Sequence, residues 1–205
     1  MDCRVVSISR ALAAGGEEIG RAVADELRFR YVNDEIVAWA ADRAGVSLQT
    51  MEKVEHTPPL IERILQYMGK VPIEVGQGYV PPPAQATVSY ETLIEAVVRE
   101  TAKAGSVVIV AHGASIPLAG MPGLLRALVT ASPEVRAGRL ATAAKLDDRK
   151  ARKAIEDSDR ERGEFLQRFY GVRQELPNHY DIVVNTDVLT PATAARLIVT
   201  AAKSG

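Results

Sequence analysis

One cysteine, Cys3, stands in a chain of 205 residues, so an intramolecular disulfide and a cysteine-based metal site are both excluded. Charge of one sign is equally lacking. Lys and Arg total 25 against 26 Asp and Glu, and a net charge of -1 offers no global attraction to nucleic acid or an anionic membrane. Any anion must therefore be captured by a local basic cluster. No apolar run approaches the roughly 20 residues that a membrane helix needs. The opening M-D-C-R-V-V has no basic segment followed by an apolar one, so a secretory leader is not expected and the cytoplasm is the expected compartment. No Ser/His/Asp or Cys/His arrangement supports hydrolase chemistry, and there is no internal repeat or low-complexity tract.

What is present is ordinary globular composition, 47 % apolar and 25 % charged, in a length that suits one core with at most a small insertion. Val5, Val6 and Ile8 form a β-branched run that reads as a buried strand. After Gly15-Gly16 the pattern changes to a helix, with Ile19, Val23 and Leu27 on one face. A strand, a glycine-bearing turn and a helix in that order open a parallel α/β fold. Asp34 to Ala44 reads as a second helix. The texture then shifts from Ser47 to Ala86, where a helix around Leu60 to Met68 precedes Gly76, Gly78 and Pro81-Pro82-Pro83. That stretch is expected to be an insertion within a single domain spanning 1–205, at about 47–88. A helix over Tyr90 to Lys103, a central strand at Val107 to Val110 and a strand over Leu125 to Thr130 follow. Ser132-Pro133-Glu134 is a helix start, with a capping Ser, a first-turn Pro and a dipole-favoured acid. Asp147 to Phe169 is a charged helical stretch with a break expected near Ser158. Ile182 to Val184 is a last strand, and Thr190-Pro191 starts a final helix carrying Leu197 and Ile198. Five strands alternating with helices imply a three-layer sandwich.

The turn after the first strand carries the chemistry. Ser9 to Gly20 stands where a phosphate-binding P-loop stands, and Ala13, Ala14, Gly15 and Gly16 are small enough to let backbone N–H groups wrap a phosphate. The usual Lys and Ser/Thr are missing: Gly16 is read at the Lys position and Glu18 at the Mg²⁺-binding hydroxyl position. Taken alone, Gly15-Gly16 could equally be a tight turn, and Glu17-Glu18 a favourable acidic first turn. The carboxylates matter. Each one near a polyphosphate costs about 1 kcal/mol in water and about 4 kcal/mol at an effective dielectric of 20, for contact near 4 Å. The expectation is that Arg10 replaces the missing cation and that Glu18 ligates Mg²⁺ directly.

On these residues the chain resembles cytidylate kinases, and more closely the cytidylate kinase-like family, whose loop runs like I-S-R-x-x-G-S-G-G-R-E-I. Ile8-Ser9-Arg10, Gly15-Gly16 and Glu18-Ile19 match, and the absent Lys is a feature of that family. Tyr31-Val32-Asn33-Asp34-Glu35 looks like the family's Tyr-Asp-x-Glu element, with Asn33 at the usual Asp. Val108 to Ala114 looks like its Val-Ile-Val-Gly-Arg-Gly-Ala strand end, with His112 at the usual Arg. Leu128 to Arg139 is similar to the strand and arginine helix of cytidylate kinases proper. Asp159-Arg160-Glu161-Arg162, Arg168 to Gly171 and Tyr180 to Thr186 match the family's last third. The resemblance covers nearly the whole chain and is weakest over Ser47 to Ala86. It implies a three-layer α/β/α P-loop kinase fold with a five-stranded parallel sheet, an acceptor-binding insertion and a lid-like helical segment near 136–170. It also implies ATP, Mg²⁺ and a nucleoside monophosphate acceptor. The departures at Asn33 and His112 fall where cytidylate kinases contact that acceptor.

Phosphoryl transfer needs positioning and positive charge more than a covalent catalyst. Arg136, Arg139, Arg160, Arg162 and Arg168 lie on segments that the family folds over the phosphates, and a guanidinium suits phosphate oxygens bidentately. Interleaved acids, Asp157, Asp159, Glu161 and Glu164 among them, allow the bland alternative of a solvated, self-paired face. His112 follows a buried strand at the end where open α/β sheets place ligands, yet a lone His is about as often structural. Asn33 could bond a base or ribose, or cap a helix. Trp39, Phe165 and Phe169 read as core. The expected roles are therefore Arg10, Arg139 and Arg162 in catalysis, and residues 13–18 around the ATP phosphates with Glu18 on Mg²⁺. Asn33, His112, Arg136, Asp159 and Arg160 are expected to face the acceptor, with CMP or dCMP the first candidate. A pseudokinase that binds nucleotide without turnover, and a kinase for a non-nucleotide metabolite, stand as alternatives. The expected partners are small molecules, with no nucleic acid and no membrane, and the sequence leaves a homodimer open.

Overall fold

The computed structural model describes residues 2–33, 90–111, 113–173 and 175–204, with the backbone alone for 90–94. The expected insertion at 47–88, the helix from Asp34, Trp39 and His112 lie outside the described residues.

The first strand, β1, runs Val5–Arg10 and is buried through Ser9. Its side chains alternate with period two: Val6 and Ile8 enter one apolar cluster and Val5 enters another on the opposite face. Two further runs fit the same logic, β3 at Val107–Val110, buried at every position, and β4 at Leu124–Thr130. With the edge strands β2 (Arg30–Val32) and β5 (Ile182–Asn185) they form one five-stranded sheet, ordered β2-β3-β1-β4-β5. Every pairing is parallel, Val5 registering with Val107 on one side and Leu124 on the other. The expected parallel sheet is thus observed. Three residues long, β2 is too short to announce itself by periodicity.

Helices cover both faces. Helix α1 (Gly16–Leu27) and the last helix, α5 (Pro191–Ser204), lie over the Val6/Ile8 face, burying Ile19, Val23, Ala194 and Ile198 against Val108, Val129 and Val184. Helix α2 (Tyr90–Lys103) covers the other face through Val97, Val98 and Ala102. The three-layer sandwich follows from strands that are apolar on both sides.

Helices α3 (Pro133–Ala144) and α4 (Asp148–Tyr170) share a separate cluster built from Ala137, Leu140, Ala151, Ala154 and Ile155. As expected, Ser132 caps α3, accepting from the Val135 N–H at 3.4 Å. The expected break near Ser158 is not observed: α4 continues for 23 residues. Ser158 is buried, on the inward face with Ile155, Arg162 and Phe165, so a small polar residue there reflects packing and not helix termination. Phe165 and Phe169 stack at 4.3 Å between centroids, as core residues should. Leu12 and Ala13 pack against the α3/α4 cluster, which docks these helices on the turn that follows β1.

Candidate phosphate-binding loop and arginine cavity

The central strand β1 delivers its turn to the carboxyl end of the sheet, where open α/β folds bind ligands. Ala11 N–H donates to the Val129 carbonyl at 3.0 Å, and Ala14 N–H donates back to Ala11 at 3.1 Å. Ala13 takes a left-handed backbone at φ 59° and Gly15 at φ 88°. For Ala13 that conformation costs about 1–2 kcal/mol, and Gly15 adopts it freely. Left-handed residues bend the chain into the concave form in which main-chain amides converge on an anion. Gly15 then serves as the N-cap of α1 without a side-chain cap. The N–H groups of Gly16, Glu17 and Glu18 accordingly have no acceptor within the helix, and the helix dipole adds positive potential there.

Arg10, the last residue of β1, reaches across this turn and donates through Nε to Glu17 Oε1. Glu17 and Glu18, the latter expected at the hydroxyl's place, follow Gly16 in the first turn of α1. Glu17 is engaged by Arg10, whereas Glu18 points outward and is exposed. Among the described residues no cluster of three His, Cys, Asp or Glu could hold a metal. Mg²⁺ beside a polyphosphate usually needs only one or two carboxylates, which Glu18 would fit.

A cavity of about 440 Å³ opens beside the loop, lined by Ala11, Thr130, Arg136, Asp159, Arg162 and Arg173 among others. Burial and hydrogen bonding sort its cations. Arg162 is 8 % exposed and donates to Glu175 through Nε and Nη2 at 2.7 and 2.8 Å. It also donates to the Arg10 carbonyl at 2.6 Å and to Ser9 Oγ at 2.8 Å. Four of its five N–H groups are thereby committed. Arg136, 4 % exposed, binds Asp159 bidentately at 2.8 and 2.6 Å and the Ala131 carbonyl at 3.0 Å. Arg139 donates to Thr186 Oγ1 at 2.9 Å and to the Thr186 carbonyl at 2.5 Å, so its charge meets no carboxylate directly. Arg160 is exposed on α4 and pairs with Asp157 at 2.9 Å. Asn33 follows β2 at the carboxyl side of the sheet, on the far side of β3 from the loop.

Besides residues 13–18 themselves, five of the expected residues thus gather at the loop or its cavity: Arg10, Arg136, Asp159 and Arg162, with Arg139 held just behind through Thr186. Arg160 and Asn33 lie apart from it, and His112 is outside the described residues. Three residues escaped sequence reasoning. Glu175 holds Arg162 and accepts from Ser9 Oγ at 3.2 Å, from a segment with no periodic pattern to flag it. Buried Thr186 donates from Oγ1 to the Ala14 carbonyl at 2.9 Å, tying loop and β5 end together while it accepts from Arg139. Arg173, exposed at the cavity wall, has no carboxylate partner among the described residues. Arg136 and Arg162 are matched by Asp159 and Glu175, so Arg173 supplies the positive excess of the lining. Its position two residues beyond the helix-stopping Gly171 was the available signal.

A five-stranded parallel sheet, a glycine-bearing loop after its central strand and an arginine-lined cavity beside it define a protein of the P-loop kinase fold. The chain belongs to the cytidylate kinase-like family, whose model matches residues 5–188. No curated protein matches it. Among solved structures it is similar to an uncharacterized protein from Eubacterium ventriosum ATCC 27560, at 14 % identity and a TM-score of 0.68, covering 98 % of this chain and 99 % of that one. It is also similar to shikimate kinase from Acinetobacter baumannii in complex with shikimate, at 13 % identity, TM-score 0.53, and 98 % and 94 % coverage. A gluconokinase from Sinorhizobium meliloti 1021 follows at 12 % identity, TM-score 0.50, and 99 % and 93 % coverage. At such identities the likeness is one of fold. No helix among the described residues is long and apolar enough to cross a membrane.

Proposed function

We propose that this chain is an ATP-dependent phosphotransferase acting on a nucleoside monophosphate, with CMP or dCMP the first acceptor to test. The observation that carries this reading is the concave loop at 13–18 opening beside a cavity with arginine walls, at the carboxyl end of the central strand. When bound, ATP with Mg²⁺ supplies the transferable phosphoryl group. The first-turn amides and Arg10 hold its phosphates, and Glu18 is the carboxylate available to the metal. Arg139 adds positive charge from behind the loop, and Arg162 fixes the loop through the Arg10 carbonyl with one donor to spare. Arg136 with Asp159, and Arg160, Asn33 and His112, are assigned to the acceptor side. Catalysis in this arrangement is positioning plus charge stabilisation.

A second reading is favoured by one specific observation. Arg162 and Arg136 are bonded to carboxylates, and Glu17 sits on Arg10, so three guanidinium groups are already neutralised. That arrangement suits a module that binds nucleotide and does not turn it over. Incubation with γ-labelled ATP, Mg²⁺ and a panel of monophosphates separates the two. Transfer to CMP or another monophosphate supports the phosphotransferase. ATP binding with no transfer to any of them supports the binding module, and label on a non-nucleotide metabolite would redirect the acceptor assignment.

A further inference from the structure

Position 16 explains why the loop lacks its lysine. Gly16 is buried, and its backbone is outside the left-handed region, so a side chain is conformationally permitted there. Space is the obstacle. A Cβ on residue 16 would lie 2.5 Å from Arg10 Cβ, 2.8 Å from Arg10 Cδ and 3.2 Å from Arg10 Cγ. The first of these atoms is fixed by the backbone of β1, so rotation of the Arg10 side chain cannot relieve the clash. The spacing is reciprocal. In G-x-x-x-x-G-K-[ST], the first Gly precedes the Lys by six residues, and here those two places are Arg10 and Gly16. The motif has the small residue first and the long cation seventh, and here the two residue types are exchanged.

We propose that residues 10 and 16 share one steric slot, and that this loop fills it from the strand side, with Arg10 as its phosphate-binding cation and Gly16 as the vacancy Arg10 requires. Glu17 takes the Nε edge of the guanidinium. Neither Nη group of Arg10 has an acceptor among the described residues, so the edge that matches two phosphate oxygens is uncommitted there. The arrangement rests on the reading that the loop holds a polyphosphate, and it names the residue pair by which it does so.

The test is a four-member cycle of wild type, Arg10→Gly, Gly16→Lys and the double variant, titrated with inorganic tripolyphosphate by calorimetry. Arg10→Gly is expected to weaken binding roughly tenfold or more, the double variant to recover most of that loss, and Gly16→Lys alone to bind no better than wild type. A second cycle needs no ligand. Gly16→Ala is expected to lower the melting temperature by roughly 4 °C in wild type and by about zero in the Arg10→Gly background, which removes the Cβ at 2.5 Å. Equal melting shifts in both backgrounds overturn the shared slot. Tighter binding by Gly16→Lys with Arg10 retained, or a double variant no better than Arg10→Gly, overturns the exchange. So does an absence of tripolyphosphate binding by wild type. Label transfer from ATP is not read in either cycle, so a chain that obeys both and transfers nothing keeps the exchange and loses the phosphotransferase reading.

Discussion

Glu175 and Arg162 face each other with side chains 13 % and 9 % exposed, where a lone charge is expensive. Glu175→Gln should therefore cost about 3 kcal/mol in urea unfolding, because it strands a guanidinium and not because the pair itself is worth that much. A paired replacement, Arg162→Met with Glu175→Leu, should cost less than Glu175→Gln alone, which a double-mutant cycle reads directly. Ala13 makes the opposite case. Its left-handed backbone is strained, so Ala13→Gly should raise stability by about 0.5–1 kcal/mol in the same assay. Of these residues Ala13 and Arg162 were recognisable from the sequence as part of the site, and Glu175 was not. Arg162 was recognisable as a lid cation, but its partner Glu175 lies 13 positions on and on no common helix face.

Element boundaries follow local chemistry closely. Ser132-Pro133-Glu134 starts α3 where a cap, a first-turn Pro and an acid coincide, and Ser132→Ala should cost about 1 kcal/mol of stability by thermal unfolding. The start of β5 depends on an ion pair instead. Asp181 accepts from Arg126 Nη2 at 2.6 Å, from its Nε at 3.1 Å and from its backbone N–H at 2.8 Å. The Arg126 side chain, ahead of the opposing cost of desolvation, holds the Asp181 carboxyl below the usual carboxylate range. A depressed folded pKa means that the stabilisation is present above about pH 4, the unfolded value, and is lost as pH falls through the lower folded value. Asp181→Asn should thus lower stability by about 1 kcal/mol at pH 7, the half-exposed setting keeping it small, with the difference from wild type shrinking in acid. Elements were legible where they were long and patterned. The three residues of β2 were not marked, and the break at Ser158 was an overreading of a polar residue on a buried helical face.

At the scale of the molecule, the turn after β1 is where three parts meet: the sheet through Ala11, the α3/α4 pair through Leu12 and Ala13, and the end of β5 through Thr186. Thr186→Val keeps shape and removes the hydroxyl that serves Ala14 and Arg139, so it should cost about 2 kcal/mol and accelerate amide hydrogen exchange across residues 13–18. If exchange there is unchanged, the loop is held by the sheet alone. The same convergence explains why α3 and α4, read from sequence as a lid-like segment, lie packed on the loop through a cluster of Ala, Leu and Ile side chains.

Local pattern by itself determined the alternation of strands and helices, the parallel sheet and the place of the glycine-bearing turn after β1, because each depends on side-chain period, caps and small residues within a few positions of one another. Which guanidinium meets which carboxylate was decided only by tertiary structure. Arg162 and Ser9 are far apart along the chain, and Arg10 meets Gly16 because a turn folds strand end onto helix start. No spacing rule encodes such contacts: charge pairing and steric exclusion act through distance in space.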